Sequence, residues 1–78
     1  MVNKDKVSDV TVTAISGMAY DDREHAKGKL RAFVVGYTAV VVNTDDNYRE
    51  VRRIECESRD EAEMIAKIYN DVIAQWYN

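Results

Sequence analysis

The sequence has no proline, a single cysteine (Cys56) and only three glycines among its 78 residues. Because proline and glycine are the residues that most often interrupt helices and strands, their scarcity predicts mostly regular structure with short connections. One cysteine cannot form a disulfide within the chain, which agrees with a reducing compartment. We therefore expect a cytoplasmic domain without a disulfide framework.

Long apolar runs are also missing. No stretch approaches the roughly 18 consecutive apolar residues of a membrane span, and the first twenty residues, which include Asp5 and Asp9, lack the basic-then-apolar order of a signal peptide. Hydrophobic residues make up 46% and charged residues 32% of the chain, and eleven Lys and Arg against fourteen Asp and Glu give a net charge of −3. These values predict one small folded domain, residues 1–78, with no membrane partner.

The first part of the chain is predicted to contain a loose start and one strand. Residues 1–6 are expected to be loose and solvated. Residues 9–20 alternate, with Val10 and Val12 on one side and polar residues on the other, which is typical of a half-buried strand. Residues 21–29 are mostly charged and are predicted to be a solvated connection.

Two more strands are predicted around a tight turn. Residues 30–42 are rich in β-branched and aromatic residues and are apolar on both faces, which predicts a central strand with a bend at Gly36. Residues 43–47 (NTDDN) are turn-forming. Residues 48–57 are predicted to return as a strand, and a slip in their apolar alternation indicates a bulge near Arg52–Arg53.

The clearest predicted element is an amphipathic helix over residues 59–77. Ser58 and Glu61 have the spacing of a capping box, in which the hydroxyl accepts an amide N–H and the glutamate reaches back. Apolar residues then recur at helical spacing; they are Ala62, Ile65, Ala66, Tyr69, Val72, Ile73 and Trp76. The opposite face is expected to be solvated, with Glu63, Lys67, Asn70, Asp71 and Gln75.

The predicted fold is therefore α+β, with a three-stranded antiparallel β-meander followed by one helix on one sheet face (β-β-β-α). A single helix covers one face, whereas the central strand is apolar on both. The uncovered apolar residues predict a homodimer interface, because exposed apolar patches usually mark interfaces. The residues assigned to that interface are Phe33, Val35, Tyr37 and Val41, although the apolar residues of the opposite face are an alternative.

The residues needed for catalysis are sparse. His25 and Cys56 are the sole histidine and cysteine, fall on different predicted elements and are too few for a zinc site. The oxygen-bearing residues of the 43–47 turn lack EF-hand spacing, and the isolated glycines form no phosphate-binding loop. We therefore expect no enzyme activity, no metal and no cofactor.

Charged residues suggest two surfaces. The predicted helix start is densely acidic, which suits a helix N-terminus and would also attract a basic protein surface; its residues are Glu55, Glu57, Asp60, Glu61 and Glu63. Four arginines could form a basic strip for single-stranded nucleic acid, but interleaved glutamates favour ion pairs instead; these are Arg31, Arg49, Arg52 and Arg53.

These observations favour a small acidic protein-binding module without enzyme activity, which forms a homodimer and binds a further protein. Proteins of this size and composition are common among bacteriophage accessory proteins that inhibit host complexes, including defence complexes, and this is the expected setting. One alternative is a small-molecule-binding or sequestering protein, with a ligand held between subunits near Tyr20, Tyr37 and Arg31. The other is a single-stranded nucleic-acid binder.

Overall fold

The computed structural model describes residues 9–76 and contains two helices and one sheet. Its elements in chain order are α1 (Asp9–Ala26), β1 (Leu30–Val35), β2 (Thr38–Asn43), β3 (Arg49–Glu55) and α2 (Arg59–Trp76). The strands form an antiparallel sheet in the order β1-β2-β3. The α+β class is confirmed, whereas the predicted β-β-β-α order is wrong because a helix comes first. The predicted loose start, 1–6, lies outside the described residues.

Helix α1 replaces both the strand predicted at 9–20 and most of the connection predicted at 21–29. Its buried stripe consists of Ile15, Ala19 and Asp22, at the spacing i, i+4 and i+7 of one helix face. Val12, which the alternating pattern placed in a strand, remains 37% exposed. The apolar pattern of the sequence did not predict this helix, because its buried stripe is narrow and one of the three buried residues is an aspartate.

The segment predicted as one central strand, 30–42, is a hairpin. Val35 pairs with Thr38, so only Gly36 and Tyr37 form the turn. Gly36 has a φ of +64°, and a glycine with positive φ at the first turn position is the pattern of a type II′ hairpin. The predicted bend is thus a complete reversal, and the central strand is β2 alone.

Strand β3 begins and ends slightly inside the predicted 48–57. Its register against β2 shifts between Val41 and Val42, whose partners are Arg52 and Glu50, so Val51 is the extra residue of a bulge. The bulge therefore lies one residue before the predicted position. The preceding turn is closed by a hydrogen bond from the Asp46 N–H to the Asn43 carbonyl (3.1 Å).

Helix α2 packs its predicted apolar stripe against the sheet. The N–H of Glu61 donates to the Ser58 hydroxyl (3.1 Å), while the Glu61 carboxylate accepts the N–H of Glu57 (2.9 Å) instead of that of Ser58. The core joins this helix to α1 and to one face of the sheet. Its buried members are Ile15, Ala19, Leu30, Ala32, Ala39, Val41, Ala66, Tyr69 and Ile73.

Asn70 departs from the solvated face predicted for α2. Its side-chain amide accepts the N–H of Ala32 and donates to the carbonyl of the same residue, both at 2.8 Å. Ala32 belongs to β1, an edge strand, so Asn70 satisfies two backbone groups that have no strand partner. The side chain therefore fastens α2 to the sheet.

Two glycines in different backbone conformations provide a first test of the fold. Gly17 lies inside α1 with open space around its missing Cβ, so Gly17→Ala should stabilise the domain by about 0.5–1 kcal/mol. Gly36→Ala should destabilise it by about 1 kcal/mol, because the turn requires positive φ. Urea unfolding of both variants measures the difference. A loss of stability in Gly17→Ala would contradict an exposed helix interior at that position.

Candidate interaction surface

The sheet face turned away from the core, called the open face here, is organised in three rows across the strands. Residues that pair directly across an antiparallel sheet point to the same side. From β1 to β3 the rows are Arg31–Val42–Glu50, Phe33–Val40–Arg53 and Val35–Thr38–Glu55. Val40 and Val42 are only 5% and 4% exposed, so the middle of this face is already closed to solvent.

Large apolar side chains are exposed at one edge and one end of this face. Phe33 is 41% exposed and Val35 56%, and Tyr37, in the adjoining hairpin turn, is 64% exposed. Three of the four residues predicted for a dimer interface therefore lie close together and accessible. The assignment of Val41 is wrong: it is fully buried in the core. The hairpin reverses the chain after Val35, so residues of equal parity in β1 and β2 point to opposite faces.

Charges of both signs frame the apolar residues of the open face. The Arg53 guanidinium donates from Nε and Nη2 to the two carboxylate oxygens of Glu50, at 3.0 and 3.1 Å. This contact lowers the pKa of the Glu50 carboxyl and raises the pKa of Arg53. Arg31 is exposed on β1, at the other end of the row that contains Glu50. The open face is thus basic on β1 and mixed on β3.

The four arginines of the predicted basic strip do not form one surface. Arg49 pairs with Asp46 in the turn (3.0 Å), and Arg53 pairs with Glu50. Arg52 points to the opposite face, where it contacts α1. Ion pairs therefore engage three of the four, although the partners lie in β3, the turn and α1 rather than on a neighbouring strand.

A buried polar cluster at Asp22 is the main feature that the sequence did not reveal. Arg52 donates from Nε to one Asp22 oxygen (2.9 Å) and from Nη2 to the other (3.0 Å), and the Tyr69 hydroxyl donates to the same carboxylate (2.5 Å). The hydrogen bond to Asp22 is the main cause of the raised pKa of Arg52. The cluster joins α1, β3 and α2. Arg52 and Tyr69 both donate hydrogen bonds to Asp22, so the cluster holds the three elements together.

The acidic helix start is exposed but partly engaged within the chain. All five predicted residues are accessible: Glu55, Glu57, Asp60, Glu61 and Glu63. The Glu61 carboxylate caps the backbone, and Glu63 pairs with Arg59 at 3.1 Å. One of the five charges is therefore paired with an opposite charge, and a second carboxylate is hydrogen-bonded to the backbone. A role for this surface in binding a basic partner stays a prediction.

Within residues 9–76, clefts with room for a small ligand include two between the end of α1 and the 43–47 turn. One, of about 490 Å³, is lined by Arg23, Lys27, Gly28, Lys29 and Asp45. The other, of about 290 Å³, is lined by His25, Ala26, Asn43, Asp46, Arg49, Glu50 and Val51. Neither contains the predicted ligand residues Tyr20, Tyr37 and Arg31. Tyr20 instead contacts Trp76 of α2, with ring centroids 6.5 Å apart. A ligand held between two subunits near these residues stays a prediction.

The sole histidine and the sole cysteine are also separate. His25 belongs to α1, where its Nδ1 contacts the carbonyl of Asp21 (2.8 Å). Cys56 is half-buried beyond the end of β3, and burial raises the pKa of its thiol, which disfavours the nucleophilic thiolate. Among residues 9–76, no group of three or more His, Cys, Asp or Glu side chains is placed to hold a metal ion.

Comparisons with profiles of protein families, with curated proteins and with solved structures found no match to this chain. Neither described helix is long and apolar enough to cross a membrane.

Proposed function

We propose that this chain is a non-enzymatic protein-binding module that self-associates through the open face. The observation that supports this is the one-sided packing of the domain: the buried core lies between the helices and one sheet face, while Phe33 and Val35 are exposed on the other. An exposed apolar patch rimmed by polar residues is the usual property of a protein–protein interface. A second copy would remove these side chains from water.

The size of the open face sets the expected strength of this association. Three strands about 4.8 Å apart and six residues long, at about 3.3 Å each, present a flat area of roughly 300 Å². Stable standard interfaces bury about 800 Å² on each partner. Because the face is smaller than a standard interface, we expect a reversible dimer that dissociates on dilution.

Light scattering over a concentration series tests the proposal. At tens of micromolar and above, the wild-type chain should approach twice its mass of 8.9 kDa. Val35→Asp places a charge among the exposed apolar residues and should give a monomer, since burying an unpaired charge is costly. Because Val35 is 56% exposed, the variant should remain folded.

The matched control is Val12→Asp. Val12 is also an exposed valine (37%), but it lies on α1, away from the open face, so this variant should dimerise like the wild type. A wild-type chain that remains monomeric up to millimolar concentration would overturn the proposal. So would a dimer that is lost equally in both variants.

A further inference from the structure

We infer that the two-fold axis of this dimer runs parallel to β2, so that Arg31 of each copy faces Glu50 of the other. The inference rests on the proposed self-association and specifies its geometry. It comes from the charged residues of the rows: a parallel axis brings Arg31 to the partner's Glu50 and leaves Glu55 opposite Val35, whereas a perpendicular axis brings like charges together.

A two-fold axis parallel to β2 exchanges the outer strands across the interface. Each row of one copy then faces the same row of the other copy. Strand β1 of one copy then lies over β3 of the other. Arg31 therefore faces the partner's Glu50 in the first row, and Phe33 faces the partner's Arg53 in the second. The guanidinium and carboxylate are complementary, and a guanidinium over an aromatic ring is also favourable.

The contact is compatible with the twist of real sheets. Aligned sheets pack with their strands about 30° apart. A first-row residue on an outer strand lies about 8 Å from the centre of the face, so this rotation shifts the facing residues by roughly 4 Å, which is still below the roughly 6.6 Å between rows. The long side chains of Arg31 and Glu50 span such a shift.

An axis perpendicular to the strands gives the opposite result. It places β1 over β1 and β3 over β3, and it reverses the order of the rows about the middle row. Glu50 then faces the partner's Glu55, and Arg53 faces the partner's Arg53. Like charges brought together across an interface disfavour that arrangement. Electrostatics thus selects the parallel axis.

The bidentate contact with Arg53 prepares Glu50 for this role. It holds the Glu50 carboxylate within the open face, at 3.0 Å from Arg53 Nε, instead of leaving it free in solvent. A carboxylate has further acceptor positions and can receive a second guanidinium. In the dimer, each Glu50 would lie between Arg53 of its own chain and the partner's Arg31.

Two charge reversals and their mixture test this geometry. Arg31→Glu alone should weaken self-association at least about tenfold, because the introduced carboxylate would face the partner's Glu50. Glu50→Arg alone should do the same, because two guanidinium groups would meet. When the two variants are mixed, both contacts of the heterodimer become complementary. Native mass spectrometry with one variant isotopically labelled should then show heterodimers in excess of either homodimer.

The matched control mixes Arg31→Glu with Glu55→Arg. Glu55 is an exposed glutamate on the same strand as Glu50, but its row contains Val35 and not Arg31. This mixture should therefore show no preference for heterodimers. Circular dichroism and urea unfolding of each variant establish that the monomers are folded.

The outcomes separate this inference from the proposed function. A wild-type chain that is monomeric at millimolar concentration overturns both. A wild-type dimer whose association strengthens in Glu50→Arg supports the perpendicular axis and overturns the inference alone, because the introduced guanidinium would then face the partner's Glu55. A dimer insensitive to both reversals places the interface away from these residues and also overturns it.

Discussion

Asp22→Ala should lower the free energy of unfolding by about 3 kcal/mol. The substitution leaves the Arg52 guanidinium without its carboxylate and the buried Tyr69 hydroxyl without this acceptor. Removing one partner of a buried ion pair typically costs about 3–5 kcal/mol, and the lower end applies because the Arg52 side chain is 33% exposed. Urea unfolding monitored by Trp76 fluorescence measures the change.

Asp71→Ala is the matched control for this prediction. Asp71 accepts a hydrogen bond from Lys67 at 2.8 Å, but both side chains are more than half exposed, so its loss should change stability by less than about 0.5 kcal/mol. Asp22→Asn should be intermediate, since it keeps one acceptor oxygen and removes the charge. Equal effects of Asp22→Ala and Asp71→Ala would mean that the buried cluster does not hold the three elements together.

Ile73→Ala should destabilise the domain by about 2–5 kcal/mol. Ile73 is 4% exposed and belongs to the core between α2 and the sheet, so its truncation leaves a cavity as well as losing buried apolar area. In a domain of this size, such a loss is a large share of the total stability. Thermal and urea unfolding both report it.

Two positions on the same helix control for helix propensity. Ile65 is only partly buried, so Ile65→Ala should cost less than Ile73→Ala. Lys67 is exposed, and Lys67→Ala should change stability by less than about 0.5 kcal/mol. A larger effect at Ile65 than at Ile73 would mean that α2 is rotated about its axis relative to this structure.

Helix α2 and the turn at 43–47 were predictable because local signals agree there. The capping residues, the 3.6-residue apolar period and the turn-forming side chains each point to the same structure without information from distant residues. Helix α1 lacks that agreement. Gly17 weakens its propensity and Asp22 occupies a core position, while its valines and threonines alternate as in a strand.

The open face was predictable only in part. The apolar surplus of residues 30–42 correctly indicated exposed apolar side chains, but the face on which each residue lies depends on the two-residue turn at Gly36. Val41 was misassigned for that reason alone. The Asp22 cluster could not be read from spacing, since Tyr69 is 47 residues away and Arg52 is 30 residues away. Such contacts exist only after the elements pack.

The contact between Asn70 and Ala32 also bears on how this sheet could aggregate. A strand added at the β1 edge would need the N–H and carbonyl of Ala32, and the Asn70 amide already holds both. The other edge, β3, carries charged side chains, which discourage pairing without blocking it. A chain with one closed edge can join another by strand pairing once, at β3 against β3. Growth by edge pairing would therefore stop at two chains. For folded domains to form a continuous cross-β fibril, the hydrogen bonds between Asn70 and Ala32 would first have to break.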